Sequence, residues 1–172
     1  QSVDRIQRVL ARQRAMSEGP LQELLGYRFQ DQNLLQRALT HRSYSCPHNE
    51  RLEFLGDSIL NAVIARQLYF RFPSLPEGEL SRLRAQLVCQ ESLFQMATSL
   101  SLGEHLRLGE GELKSGGHRR PSILADALEA LFGAIWLDGG FERADEAISG
   151  LYRPLLEQLT PGQRNKDAKT RL

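Results

Sequence analysis

The chain has 172 residues, 41% of them hydrophobic, enough for one domain with a substantial core and a short appendage. Its 22 Lys and Arg against 21 Asp and Glu leave a net charge of +1, which excludes a global polybasic or polyacidic mode of binding and leaves local patches. The two cysteines, Cys46 and Cys89, form no CxxC pattern, and no run of 18 or more apolar residues occurs, so a cytoplasmic protein with reduced thiols and no membrane partner is expected.

The first fifteen residues are Arg-rich and weakly amphipathic, and residues 1–19 read as an amino-terminal extension, with the main domain at 20–159. Apolar residues then recur at three- and four-residue spacing, which predicts helices over Asp31–Leu39, Glu50–Phe70, Gly78–Val88, Ser92–Leu100, Ser122–Leu137 and Arg143–Leu159. Turn residues punctuate them at 72–76, 138–140 and 160–162, and Pro121 suits a first helical turn. Strand alternation is nearly absent, so the fold class is all-α, a helical bundle. Gly103–Pro121, with five glycines and a basic end, reads as a long surface loop. The polar segment 160–172 reads as a linker.

The segment NERLEFLGDS at 49–58 carries Glu50, Glu53 and Asp57 among apolar residues. At about 100° per residue the three fall within an arc of roughly 60°, opposite Leu52, Leu55, Ile59 and Val63. Like charges so spaced destabilise a helix by about 0.2–0.5 kcal/mol per pair. A solvated face is one explanation. A second helix, PSILADALEALFGAIWLDGG, weighs against it: Asp126 and Glu129 face one way, and no other charge occurs between Ser122 and Leu137. Carboxylates on so apolar a helix need compensation, from a buried Arg or from a divalent cation. Glu53, Asp57, Asp126 and Glu129 could hold one or two hard ions such as Mg²⁺. Gly133 falls on the acidic side, where a missing side chain lets another helix or a substrate approach. His41, His48, His105 and His118 show no zinc spacing, and neither GxSxG nor GxxxxGK[ST] is present.

NERLEFLGDS resembles the signature of the ribonuclease III family. ALTHRS at 38–43, RFPSLPEGELSRLRAQLV at 71–88, GELKSGGHRRPSILADALEALFGAIWLD at 111–138 and KDAKTRL at 166–172 match it in the same order. The likeness, closest to bacterial members, implies an all-helical nuclease domain that forms a two-fold homodimer. It implies Mg²⁺-dependent hydrolysis of double-stranded RNA to 5′-phosphate and 3′-hydroxyl ends, in rRNA and mRNA processing, with Mn²⁺ able to substitute. The four acids map onto the family's metal ligands, with Asp57 and Glu129 as catalytic residues, and Glu50 and Glu77 onto two supporting acids. The basic loop Lys114, Ser115, Gly116, Gly117, Arg119 and Arg120 is expected to meet RNA phosphates. Phe54, beside the acids, is expected to insert into the partner subunit. His41 and Arg42 stand in a matching block, with bracing of neighbouring helices as the plainer reading. Bacterial members usually continue from KDxKTRL into a double-stranded-RNA-binding domain, so 160–172 reads as its start. A non-catalytic RNA-binding relative would be expected to lose metal acids, which this chain keeps. A phosphohydrolase of small substrates would need a closed pocket.

Overall fold

The structure is a computed structural model and describes residues 5, 9 and 18–160 of the chain. The domain calls at 1–19 and 160–172 therefore lie almost wholly outside the described residues. Eight α-helices follow one another among the described residues: α1 (Gly19–Leu25), α2 (Gln32–Ala38), α3 (Glu50–Arg71), α4 (Glu77–Val88), α5 (Gln90–Ser99), α6 (Glu110–Lys114), α7 (Pro121–Gly139) and α8 (Phe141–Glu157). Two 3₁₀ turns, Leu102–His105 and Gly117–Arg119, flank α6. The only β-type pairing among the described residues is an isolated bridge between Thr40 and Arg107. No helix of the described chain is long and apolar enough to cross a membrane.

The core is centred on α7, where every residue from Ile123 to Ile135 is buried except Asp126. Its main partner is α3, which turns Leu52, Ile59, Leu60, Val63, Ile64 and Leu68 inward. The two helices approach backbone to backbone. A Cβ on Gly56 would overlap the carbonyl of Glu129, and one on Gly133 would overlap the carbonyl of Leu52. Reciprocal glycines therefore set this crossing, and larger residues would force the helices apart.

The ends of these helices are tied to distant segments. Buried Asn49 donates through Nδ2 to the carbonyl of Ala38 at 3.0 Å and through its N–H to the carbonyl of Thr40 at 2.9 Å, fixing the start of α3 against the end of α2. At the far end of α7, the carboxylate of Asp138 accepts from the hydroxyl of Tyr27 and from the N–H groups of Gln30 and Asp31.

Gly103–Pro121 is not a long irregular loop. It folds into α6 and, with Leu102 before it, the two 3₁₀ turns, and within it Leu108 and Gly117 are buried. Hydrogen bonds from His41 N to Arg107 O at 3.0 Å and from Arg107 N to Leu39 O at 2.8 Å fasten it to the segment after α2. Its five glycines suggest looseness, but three of them are close-contact points, and a Cβ on Gly103 would overlap the carbonyl of His118. A Cβ on Gly109 would overlap the carbonyl of Ser43, and one on Gly117 would press on Glu112.

Candidate functional site

The glycine crossing sets the spacing between two acidic turns. Glu53 lies one residue after Leu52 on α3, and Glu129 supplies the carbonyl against which Gly56 packs. Glu53, Asp126 and Glu129 each place a carboxylate oxygen so that all three oxygens lie within 4.8 Å of one another. Among the described residues no ion pair engages these three or Asp57, so a compensating arginine is absent.

Burial and crowding act on these groups in one direction. Glu129 is 8% exposed. Burial first, then Asp57, Glu53 and Asp126 around it, push its carboxyl up to about 9. Burial, Asp126, Glu50 and Asp57 push Glu53 up to about 7. Asp126 is raised as well, chiefly by burial, with its hydrogen bond to Glu53 acting against the shift. Without a cation the cluster therefore retains protons that free carboxylic acids lose. Three oxygen donors within reach of one ion, with excess negative charge and no nitrogen or sulfur ligand, fit a hard divalent cation.

The other acids occupy different places. Asp57, one turn further along α3, is exposed. It hydrogen-bonds Glu129 from outside the tight trio and accepts from Asn61 Nδ2 at 3.4 Å. Glu50 is exposed and pairs with Arg42 at 3.4 Å. Glu77 opens α4 and accepts from the Ser81 hydroxyl at 2.7 Å. Among the described residues, no hydrogen bond or ion pair joins Glu77 to the acids of α3 and α7.

A cavity of about 430 Å³ opens beside the trio. Glu50, Glu53 and Asp126 form its acidic side, and His41, Arg42 and Arg120 bring basic groups to the same space. Arg120 is paired with Glu112, another lining residue. The rest of the predicted basic loop is dispersed. Lys114 ends α6 and pairs with Glu110 at 3.1 Å. The Ser115 hydroxyl donates to the carbonyl of Glu112 at 3.0 Å. Gly116 takes a φ of 82°, which leads the chain into the second 3₁₀ turn, and Gly117 is buried there. Arg119 borders a different, mostly apolar pocket with Phe94, Leu102 and Leu124. Neighbours in sequence, Arg119 and Arg120 therefore serve different surfaces.

Phe54 is 79% exposed and stands with Leu55 and Leu137 at a second opening of about 570 Å³, which Arg37 and Arg51 also line. It is not local core. Two features of the site escaped sequence reading. Gly56 sits unremarked inside the signature, although glycine at the centre of an amphipathic helix is itself a packing signal. The placement of His41 and Arg42 at the acidic cavity rests on the Thr40–Arg107 bridge, which leaves no local pattern.

The chain and its fold have counterparts among known proteins. A family model described as Ribonuclease-III-like matches residues 31–155. Ribonuclease 3 of Thiobacillus denitrificans is 61% identical over 158 residues, covering 92% of this chain and 70% of that protein. Ribonuclease 3 of Dechloromonas aromatica is 62% identical over 157 residues, covering 91% and 71%. Among solved structures, the nuclease domain of ribonuclease III from Campylobacter jejuni superposes with a TM-score of 0.78 at 45% identity, covering 80% of this chain and 96% of that one. That structure is described as showing flexibility in a region involved in dimer formation. Dicer from Pichia stipitis superposes with a TM-score of 0.59 at 33% identity, covering 74% of this chain and 57% of that one.

Proposed function

The chain belongs to the ribonuclease III family, and on that premise we propose that it is an endoribonuclease of double-stranded RNA that works with Mg²⁺ at the α3–α7 crossing. The observation that carries the reading is the convergence of Glu53, Asp126 and Glu129 within 4.8 Å with no basic side chain paired to them. A nuclease that needs a divalent cation gives such a cluster a use. A purely structural role would leave its protons and repulsion unexplained.

In this reading Glu53, Asp126 and Glu129 hold the cation, and Asp57 completes the set from the solvent side. Mg²⁺, or Mn²⁺ in its place, supplies activation of the attacking water and neutralisation of the leaving oxygen. The chain's own residues do the rest. Burial and mutual repulsion raise the carboxyls of Glu129, Glu53 and Asp126, so the cluster holds protons that an arriving cation displaces. Arg42 and Arg120 meet phosphates at the mouth of the cavity, with Lys114, Ser115, Gly116 and Arg119 contributing further along the duplex and buried Gly117 shaping the turn that carries them. Glu50, through Arg42, orients one of these cations, and Glu77 is a supporting acid. Phe54 and its apolar surroundings form the homodimer contact, giving two equivalent sites, one for each strand. We place the activity in the cytoplasm, in the processing of rRNA and mRNA precursors.

The test is cleavage of a labelled RNA duplex in low salt. Cutting with Mg²⁺, no cutting with Ca²⁺ or by Glu129→Gln, and 5′-phosphate products are the expected results. Unimpaired cutting by Glu129→Gln would remove the acids from the reaction. A 2′,3′-cyclic phosphate would mean attack by the RNA's own hydroxyl instead of water.

A further inference from the structure

His41 shares the acidic cavity with Glu53 and Asp126, and its ring is held in one defined state. The backbone N–H of Ser43 donates to His41 Nδ1 at 3.1 Å. A backbone N–H can only donate, so Nδ1 bears a lone pair and not a proton. The Ser43 hydroxyl lies 2.7 Å from the same nitrogen, and its oxygen in turn accepts from the N–H of Gly109 at 2.9 Å. These bonds make a directed chain, from Gly109 to Ser43 to Nδ1. The ring is therefore neutral, and its proton is on Nε2. No hydrogen bond among the described residues uses Nε2.

The surroundings make this arrangement rigid. The Thr40–Arg107 bridge fixes the backbone on one side, and the Tyr44 N–H donates to the carbonyl of His41 at 2.9 Å on the other. Gly109 packs so closely on Ser43 that a Cβ there would overlap the Ser43 carbonyl. Burial also holds the imidazole below its usual value, although Glu112 and Glu50 pull the other way.

Arg42 and Arg120 already bring charged donors suited to phosphate oxygens to this cavity. A neutral, single, pre-oriented N–H suits an uncharged acceptor instead. The acceptor that separates RNA from DNA is the 2′-hydroxyl. We propose that His41 contacts substrate directly, donating from Nε2–H to the 2′-hydroxyl oxygen of a nucleotide beside the scissile phosphate, with Ser43 and Gly109 fixing the tautomer. The proposal rests on the endoribonuclease reading above and adds a reader of sugar identity to it.

The experiment is a substitution scan crossed with variants of His41. Single-turnover cleavage is followed on one defined duplex in Mg²⁺. Each nucleotide flanking the cut is replaced in turn by its 2′-deoxy or 2′-fluoro form. The fluoro sugar keeps the pucker of RNA but is a poor acceptor. With the unaltered protein one position is expected to slow cleavage by about three- to tenfold, the size of one net hydrogen bond. His41→Ala is expected to slow the all-ribose duplex by a similar factor and to show no further loss at that position. His41→Gln, which carries an amide N–H near the reach of Nε2, is expected to recover part of the rate and of the position sensitivity. Duplex affinity in Ca²⁺, where nothing is cut, is expected to follow the same pattern.

Losses from His41→Ala and from the sugar change that multiply would overturn the contact and leave His41 as a brace of the 41–44 turn. Should His41→Ala fail to fold, the scan on the unaltered protein decides, and a flat scan overturns the proposal. Failure to cut even the all-ribose duplex would overturn the endoribonuclease reading, and this contact with it. Cutting with a flat scan overturns the contact alone.

Discussion

Replacing Glu129 by Gln in metal-free protein is expected to raise the melting temperature while abolishing Mg²⁺-dependent cleavage. The size follows from the site. The carboxyl ordinarily loses its proton near 4.5, and burial with three acidic neighbours raises it to about 9 in the fold. The unfolded chain therefore releases a proton that the folded chain keeps. Stability is greatest below the ordinary value and falls as pH rises towards the folded one. At 1.36 kcal/mol per unit, the two and a half units between 4.5 and pH 7 correspond to about 3 kcal/mol. Gln keeps the shape and the hydrogen bond that the protonated acid makes to Asp57, and it has no charge to lose. For a domain of this size the gain is about 5–10 °C at pH 7. The assay is thermal unfolding in chelator at pH 5, 7 and 8.5 for both proteins. The gap is expected to be near zero at pH 5 and to widen with pH. Saturating Mg²⁺ is expected to narrow or reverse it, because ligand binding stabilises only the protein that retains the ligand set. A gap of constant size, or a lower melting temperature for Glu129→Gln at pH 7 in chelator, would refute the reasoning and show that a partner stabilises the ionised carboxylate.

The same raised carboxyls predict proton release on adding Mg²⁺ at pH 7, about one to two protons per site, with metal affinity increasing between roughly pH 6 and 9. An indicator-dye titration reads this, and binding without proton release would contradict it. At the helix crossing, Gly56→Ala and Gly133→Ala are each expected to cost about 1–3 kcal/mol or more, because the added Cβ overlaps a carbonyl of the facing helix. Denaturant unfolding checks this, and unchanged stability would mean that the helices part freely. Phe54→Asp is expected to weaken self-association by about 10²–10⁴-fold without lowering the melting temperature of the monomer, since two largely exposed rings each lose about 1.5–3 kcal/mol of burial in the dimer. Sedimentation across a concentration range measures it, and an unchanged dimer would remove Phe54 from the interface.

Most helices were legible because their cores are periodic. The apolar spacing of Leu52, Ile59, Val63 and of Leu124, Leu128, Leu131 needs no knowledge of the rest of the fold; the observed α3 starts at the predicted residue and ends one later, and α7 differs by one residue at its start and two at its end. The elements that were not legible have no such period. α6 spans five residues with none buried, and its position depends on Arg107 pairing with the segment after α2, nearly 70 residues earlier in the chain. Glycine content suggested a loop there, whereas at Gly109 and Gly117 glycine marks close approach.

The acids separate what angles can tell from what they cannot. Helical angles placed Glu50, Glu53 and Asp57 on one arc of α3, and the structure keeps all three on that side. Reach to α7 then sorts them, and reach is set by where the two helices cross. The crossing lies at Gly56 and Gly133, so the turn holding Glu53 meets Asp126 and Glu129 across it, Asp57 touches Glu129 from outside, and Glu50 turns to Arg42. A sequence carries the crossing only as two glycines, each looking like a weak point in an otherwise good helix. Gly133 drew notice because it stands on an acidic face, and Gly56 did not because it stands inside a motif already full of signal. Paired across helices, the two glycines bring carboxylates closer than ordinary side-chain packing would allow. The electrostatic cost of the site is therefore built into the backbone, and relieving it takes a cation or the loss of a charge.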